Sequence, residues 1–232
     1  MKFLSLLATA SLAMAFDWSA KDSKRQILGG GRVRSTANEF RDGGCNDIIF
    51  VWARGSTEIG NMGTVVGPDL ANNLKDAFPG RVAVQGVDYG ALLSTNFLPG
   101  GTDPASIREM RTILDDAMTQ CPDSVIVTGG YSQGAAVNHR VIEDLPQAQQ
   151  DRIAGVIMFG DTQNRADRGQ IPNFDPQKTE IICASLPRDT VCDGVLTSAV
   201  LPPHLSYGRN AGEGADFLIG KVNGVLGAGA AA

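Results

Sequence analysis

Short apolar runs alternate along the chain with longer segments in which apolar residues recur at helical spacing. Five of the runs span four to six residues and lie at 48–53, 81–84, 124–128, 155–159 and 180–183. A run of that length with few polar positions predicts a strand whose two faces are both buried. Because helical segments lie between the runs, the order favours a mostly parallel sheet with helices on both faces.

The clearest helical segment lies between the second and third predicted strands. Asp103 is expected as its N-cap and Pro104 as its first residue, while Pro122 ends it. Its apolar face is built from Ile107, Met110, Leu114, Ala117, Met118 and Cys121. Further helices are predicted at 69–78, 134–145 and 216–226. The pattern therefore predicts one three-layer α/β domain, with a compact core at about residues 40–226.

The N-terminus has the features of an export signal. Lys2 is followed by an apolar stretch that ends in Ala13-Met14-Ala15, which predicts cleavage after Ala15 and a signal peptide at residues 1–15. A buried N-terminal helix is the alternative for this segment. Residues 16–25 end in a dibasic pair and are expected to form a propeptide, which leaves residues 26–232 as the mature domain. The sequence thus predicts a secreted, extracellular protein.

Composition changes this picture mainly by exclusion. The 232 residues are 43% hydrophobic and 19% charged, with a net charge of −5. No run of Lys and Arg is long enough to follow a phosphate backbone, so a nucleic-acid partner is not expected. Past the N-terminal signal, no apolar stretch has the length of a transmembrane segment. We expect a monomer that uses no metal and no other cofactor.

The four cysteines, Cys45, Cys121, Cys183 and Cys192, favour disulfide bonds over metal binding. None forms a CxxC pair, and no histidine lies near enough in sequence to complete a zinc site. In an exported chain we expect two disulfide bonds, for which three connectivities are possible. A bond between Cys183 and Cys192 would close a short loop and leave the other two cysteines to join distant parts of the chain.

The strongest chemical signal is Gly130-x-Ser132-x-Gly134, which lies between a predicted strand and a predicted helix. This is the context of a nucleophile elbow, in which a strained turn exposes a serine at a helix N-terminus. The residues two positions before and after the serine must be small, because they pack against the neighbouring strand and helix. The positive partial charge at the helix N-terminus favours a developing oxyanion. Ser132 is therefore the predicted nucleophile, and the alternative is a glycine-rich turn that merely contains a serine.

A catalytic serine needs a base, and the chain contains two histidines, His139 and His204. His139 lies seven residues past Ser132 on the same predicted helix, about 10 Å along the axis at ~1.5 Å per residue. It is out of reach of the serine hydroxyl and is expected to be a surface or packing residue. His204 lies in a proline-rich loop after the last predicted strand and is, by elimination, the predicted base.

The acid that orients the base should lie between the serine and the histidine in the chain, as it does in α/β-hydrolases. The carboxylates in that interval are Glu143, Asp144, Asp151, Asp161, Asp167, Asp175, Glu180, Asp189 and Asp193. Asp189 is favoured because it follows a predicted strand and lies inside the loop that a Cys183–Cys192 bond would close. Asp193 and Asp161 are the competitors.

An oxyanion hole needs the backbone N–H after the nucleophile, here that of Gln133, and a second donor from the loop after an early strand. Ser56 follows the first predicted strand and offers both an amide and a hydroxyl. Taken alone, the segment around Ser56 would fit an ordinary polar turn equally well.

The chain resembles the fungal cutinases from Cys45 to about Val222. The matching segments are 45–50, 53–58, 107–110, 129–136, 189–192 and 203–208. The resemblance implies a small α/β-hydrolase-type three-layer sandwich without a lid, and a secreted serine esterase that hydrolyses cutin, the polyester of the plant cuticle. It also implies disulfide bonds Cys45–Cys121 and Cys183–Cys192.

The same resemblance implies the roles of the site residues. Ser132, Asp189 and His204 match the family's catalytic triad. Ser56 and Gln133 match its oxyanion hole, and Asn96 matches a position that supports the oxyanion-hole serine.

Apolar residues on both sides of the predicted nucleophile suit an insoluble polyester or a lipid-like ester. Leu93, Phe97, Val200 and Leu205 are expected to form a substrate lip, next to Leu92, Leu98 and Leu201. One alternative is an acetylxylan esterase of related fold, which the aliphatic surroundings disfavour. Another is a secreted surface-binding or defence-triggering protein with incidental catalysis, which the complete triad disfavours.

Overall fold

The structure, a computed structural model, describes residues 31–229 of the chain. The predicted signal peptide at 1–15 and propeptide at 16–25 lie outside the described residues. Within 31–229, no helix combines the length and the apolar character that crossing a membrane requires.

Five parallel strands form one sheet in the order β2-β1-β3-β4-β5. They are β1 (Ile48–Ala53), β2 (Val82–Gly86), β3 (Val125–Tyr131), β4 (Ile153–Phe159) and β5 (Thr179–Ile182). Every residue of β1, β2 and β3 is buried. This burial on both faces explains why the strands have continuous apolar runs rather than alternating ones, and it confirms the predicted parallel sheet.

Helices cover both faces of the sheet, so the predicted three-layer arrangement is confirmed. They are α1 (Glu39–Gly43), α2 (Gly67–Ala77), α3 (Pro104–Gln120), α4 (Gln133–Ile142), α5 (Gln147–Arg152) and α6 (Ala211–Gly229). Side chains of α3 and α4 join one apolar cluster, and those of α2 and α6 join the other. The strands contribute alternate residues to the two clusters.

The N-termini of α3 and α6 show how single residues decide where a helix begins. Asp103 caps α3 as expected, because its carboxylate accepts the N–H groups of Ala105 and Ser106. In contrast, α6 begins at residue 211 rather than at the predicted 216. Gly214 lies inside this first part of the helix, and a Cβ there would lie 2.5 Å from the ring of Phe159. The glycine therefore permits close packing of helix on sheet instead of ending the helix.

Candidate active site

Ser132 directly follows β3 and caps the N-terminus of α4. Its backbone is strained, with φ 54° and ψ −116°. A Cβ on Gly130 would lie 2.3 Å from the Gly134 carbonyl oxygen, and one on Gly134 would lie 1.9 Å from the Ala53 carbonyl oxygen. Only glycine fits at both flanking positions, so the motif builds the sharp turn of a nucleophile elbow.

The three predicted triad side chains lie in hydrogen-bond contact. The Nε2 atom of His204 lies 2.9 Å from the Ser132 hydroxyl oxygen, and the Nδ1 atom lies 2.8 Å from a carboxylate oxygen of Asp189. Asp189 and His204 are each 2% exposed, and Ser132 is 6% exposed. This arrangement gives the serine a base and gives the base a carboxylate that fixes its orientation.

Asp189 is held as an anion by a set of donors. Its carboxylate accepts hydrogen bonds from the N–H of Val191 at 3.0 Å and the hydroxyl of Tyr207 at 2.7 Å, besides the one from His204. Burial opposes ionisation, but these hydrogen bonds outweigh it and lower the pKa of Asp189. The residue also lies inside the loop closed by the disulfide Cys183–Cys192.

The competing carboxylates have other partners. The Asp193 carboxylate pairs with Arg188 at 2.6 Å on the exposed surface. Asp161 is fully buried but bonds to His139 at 2.9 Å. Neither is placed to orient His204.

Tyr131 supports the other side of His204. The two rings stack with centroids 5.2 Å apart, and the Tyr131 hydroxyl donates to the His204 carbonyl oxygen at 2.8 Å. The orientation of the imidazole is therefore fixed by stacking against one face as well as by hydrogen bonds at both nitrogens.

Two groups could bind a developing oxyanion beside Ser132. The N–H of Gln133 is at the first residue of α4, where a helix leaves its N–H groups without intrahelical partners. The Ser56 hydroxyl oxygen accepts a hydrogen bond of 2.8 Å from the Asn96 amide, which leaves the hydroxyl proton available to donate. Asn96 thus has the position expected of a supporting residue.

The Gln133 side chain ties the elbow to the segment that carries Asn96. Its amide nitrogen donates to the Leu92 carbonyl oxygen at 3.0 Å and to the Thr95 hydroxyl at 2.6 Å. The two halves of the candidate oxyanion hole are therefore linked through one side chain.

A cavity of about 660 Å³ lies over Ser132 and His204. Its lining includes the four predicted lip residues Leu93, Phe97, Val200 and Leu205, which are 51%, 70%, 72% and 51% exposed. Leu92, Leu98 and Leu201 are also exposed. An apolar surface of this kind at the mouth of a reactive site suits a hydrophobic ester.

The other disulfide, Cys45–Cys121, joins the segments that precede β1 and β3, at the opposite end of the strands from Ser132. All four cysteines are therefore in disulfides. Within residues 31–229, no group of three or more histidine, cysteine or carboxylate side chains is placed to hold a metal ion.

Sequence reasoning missed two supporting residues, Tyr207 and Glu58. The Tyr207 hydroxyl contacts an aspartate 18 residues away on another element, so no local pattern could reveal it. Glu58 accepts the N–H groups of Gly55, Thr64 and Val65 and so fixes the loop that carries Ser56. A glutamate in a polar turn gives no sign of this role.

His139 was expected to be either a surface or a packing residue, and the structure supports the second alternative. The residue is fully buried, with both ring nitrogens facing carboxylates. It takes no part in the contacts around Ser132.

The parallel sheet, the elbow after its central strand and the serine at a helix N-terminus together define an α/β-hydrolase-type protein. The chain matches the Cutinase family model over residues 44–222, and it belongs to the cutinase family. It is a carboxylic ester hydrolase.

Individual relatives agree with this assignment. The chain is 44% identical to "Cutinase 2" of Fusarium vanettenii, over 98% of this chain and 99% of that one. Among solved structures it is similar to a Trichoderma reesei cutinase in complex with a phosphonate inhibitor, with a TM-score of 0.71 and 29% identity over 89% of this chain and 93% of that one. An acetylxylan esterase structure shares the fold, with a TM-score of 0.56 at 19% identity over 77% of this chain and 99% of that one.

Proposed function

We propose that this protein is a secreted enzyme that hydrolyses ester bonds of cutin with Ser132 as nucleophile, His204 as base and Asp189 as orienting acid. The observation that carries the proposal is the continuous series of hydrogen bonds from the Ser132 hydroxyl through His204 to Asp189, beneath an apolar cavity. The donors at Ser56 and Gln133 complete the groups that acyl transfer requires.

In the acylation step, the Ser132 oxygen attacks the ester carbonyl carbon while its proton passes to Nε2 of His204. The carbonyl oxygen becomes an oxyanion that the Gln133 N–H and the Ser56 hydroxyl bind. The C–O bond to the alcohol then breaks, and the alcohol leaves with the proton that His204 held. An acyl ester on Ser132 remains.

Deacylation repeats these steps with water. His204 removes a proton from a water molecule, whose oxygen attacks the acyl carbon. The bond to Ser132 breaks, the serine recovers its proton from His204, and the carboxylic acid is released. Asp189 stays ionised throughout, because its pKa is lowered, and it stabilises the imidazolium that forms twice in each cycle.

The lip residues support cutin rather than acetylated xylan as the substrate. Phe97 and Val200 both line the cavity and are among the most exposed apolar side chains of the described residues. A sugar polymer would gain little from such contacts, whereas the aliphatic chains of a polyester would be removed from water.

Secretion is proposed from the N-terminal sequence and the two disulfide bonds. The segment 1–15 has the composition of a signal peptide. Disulfides such as Cys45–Cys121 and Cys183–Cys192 persist in oxidising compartments. Residues 26–232 are proposed as the single mature domain.

The test compares Ser132→Ala with Ser35→Ala, which makes the same chemical change outside the site. Each variant is assayed on a short-chain p-nitrophenyl ester, then on cutin and on acetylated xylan. We expect Ser132→Ala to lose at least a thousandfold in turnover with unchanged circular dichroism, while Ser35→Ala stays near wild type. Residual turnover of more than a few per cent in Ser132→Ala would exclude the proposed nucleophile. Preference for acetylated xylan would exclude the proposed substrate.

A further inference from the structure

His139 is a buried histidine that the proposed mechanism does not use. It lies on α4, and its side chain is fully buried. Its Nε2 atom lies 2.9 Å from a carboxylate oxygen of Asp161, and its Nδ1 atom lies 2.8 Å from a carboxylate oxygen of Asp167. The Nε2 contact is a hydrogen bond, whereas the Nδ1 contact has the distance of an ion pair without the alignment of a hydrogen bond. Two carboxylates this close to one buried ring favour its positively charged imidazolium form.

The surroundings favour the charged form of this ring. Burial opposes protonation, but the charges and hydrogen bonds of Asp161 and Asp167 outweigh it and raise the pKa of His139 to about 9. Arg140 on α4 forms ion pairs with Asp167 and with Glu143. Arg140 and Glu143 are therefore the further charged groups next to His139 and its two carboxylates. Asp161 also acts electrostatically on the phenol of Tyr207, whose pKa burial raises. Elsewhere α4 packs through apolar side chains and through the uncharged amides of Gln133 and Asn138.

The turn that carries Asp161 touches the proposed base. Gly160 precedes Asp161 and has φ 53°. A Cβ at Gly160 would lie 2.8 Å from the Cε1 atom of His204, between the two nitrogens that bond to Ser132 and Asp189. A shift of this turn would therefore change the position of the His204 ring.

The same loop also contacts the segment of the proposed acid. The Asn164 amide donates to the Cys192 carbonyl oxygen at 3.2 Å, and Arg165 donates to the Asp193 carbonyl oxygen at 3.2 Å. Cys192 and Asp193 follow Asp189 by three and four residues, respectively. The loop after β4 thus contacts α4 through Asp161 and Asp167, and it also contacts the proposed base and the segment of the proposed acid.

We propose that His139, Asp161 and Asp167 form an ionic clamp that fixes the loop after β4 to α4 and so positions His204 for catalysis. This inference rests on the proposed role of His204. His139 is a positioning residue in this scheme, since it touches neither the substrate nor Ser132. When His139 loses its proton, at least one of its nitrogens faces a carboxylate without a hydrogen to donate, and the clamp loosens.

The proposal predicts a loss of turnover in alkali that has its origin outside the triad. We expect the wild-type kcat for a short-chain soluble ester, corrected for spontaneous hydrolysis, to fall about tenfold or more around pH 9 with little change in KM. Displacing a catalytic group by ~1 Å can cost about a hundredfold in rate. Among the other titratable groups in contact with His204, Tyr131 and Tyr207 have pKa values that burial raises well above this range, and the pKa of Asp189 is lowered.

The variants separate positioning from stability. His139→Gln should lower kcat at neutral pH and remove the alkaline decline, because the amide cannot satisfy both carboxylates and does not titrate. The double variant His139→Gln/Asp161→Asn should recover most of the wild-type kcat at neutral pH and should show no decline in alkali. In this variant the two new amide side chains can bond to each other, and Asp167 keeps its ion pair with Arg140. A merely structural role would lower the melting temperature of both variants and leave the shape of the pH profile unchanged.

Histidine NMR provides the independent measurement, because the sequence contains just two histidines. The resonance that disappears in His139→Gln should titrate at the pH at which the wild-type kcat falls. The clamp is overturned if kcat stays level while that resonance titrates, or if the decline persists in His139→Gln. Failure of the proposed function is a different result, namely full turnover in Ser132→Ala.

Discussion

The protein contains two buried histidine–aspartate pairs, and they differ in what the second ring nitrogen faces. At His204 the second nitrogen faces the Ser132 hydroxyl, a group that can give up a proton. At His139 it faces another carboxylate, that of Asp167. One ring is therefore arranged to accept a proton, and the other is arranged to keep one.

The comparison shows that burial beside an aspartate does not by itself make a histidine catalytic. Both rings are nearly inaccessible, at 2% and 0% exposed. The two histidines differ in the group with which the second ring nitrogen can exchange a proton, a serine hydroxyl at His204 and a carboxylate at His139. His204 lines the cavity, whereas His139 is fully buried and faces two carboxylates of the loop after β4.

The largest expected effect comes from neutralising the acid of the first pair. Asp189→Asn should lower kcat about 10⁴-fold, because the amide favours the wrong tautomer of His204 while keeping the shape. Asp193→Asn is the matched control and should stay near wild type, since that carboxylate pairs with exposed Arg188. Asp161→Asn should lie between the two. An inactive Asp193→Asn beside an active Asp189→Asn would reassign the acid.

A smaller effect is expected from opening the loop around that acid. Cys183→Ala/Cys192→Ala should lower kcat by about a hundredfold in molecules that circular dichroism reports as folded, because Asp189 loses its fixed position. Chain entropy assigns this short loop roughly 2.5 kcal/mol of stability and the long loop of Cys45–Cys121 about 4.5 kcal/mol.

The second disulfide supplies the control. Cys45→Ala/Cys121→Ala removes the bond before β1 and β3, at the opposite end of these strands from Ser132, so it should cost more stability but leave turnover per folded molecule unchanged. Equal losses of turnover in both double variants would show that the disulfides act on the fold and not on the acid.

The smallest effect concerns stability against pH. The folded pKa of His139, about 9, exceeds the ordinary histidine value, so its contribution is complete below about pH 6.5 and is lost as pH rises through 9. Asp189 and Asp167 have lowered pKa values, so their contributions are present above about pH 4 and are lost in acid.

Melting curves between pH 7 and 10 measure this difference. We expect the wild-type melting temperature to fall by about 5 °C over that range, at roughly 2–4 °C per kcal/mol for a chain of this size. His139→Gln should start lower and show a smaller fall. A parallel fall in both proteins would assign the pH dependence to other groups.

Sequence reasoning reached most of the fold and the reactive part of the candidate site. Continuous apolar runs located all five strands within a few residues, because strands buried on both faces have few polar positions. The expected burial on both faces was wrong for β5, which lies at the edge of the sheet and is only partly buried. The start of α6 was predicted five residues too late, at 216 instead of 211, and Gly214 in this first part of the helix makes room for Phe159. The short helices α1 and α5 lack a periodic pattern long enough to detect.

By itself, the sequence determined the elbow at Ser132 and left His204 as the base that could reach it, since local backbone geometry and the count of histidines are properties of the chain. The sequence favoured Asp189 over Asp193 and Asp161, but only the tertiary structure shows which of the three carboxylates contacts His204, because hydrogen bonding depends on angstrom-scale distances between residues far apart in sequence. The same reason explains why the sequence did not reveal the charged partners of His139. Its two carboxylate partners lie 22 and 28 residues away, and only the packing of the loop after β4 onto α4 brings all three charges into one buried cluster.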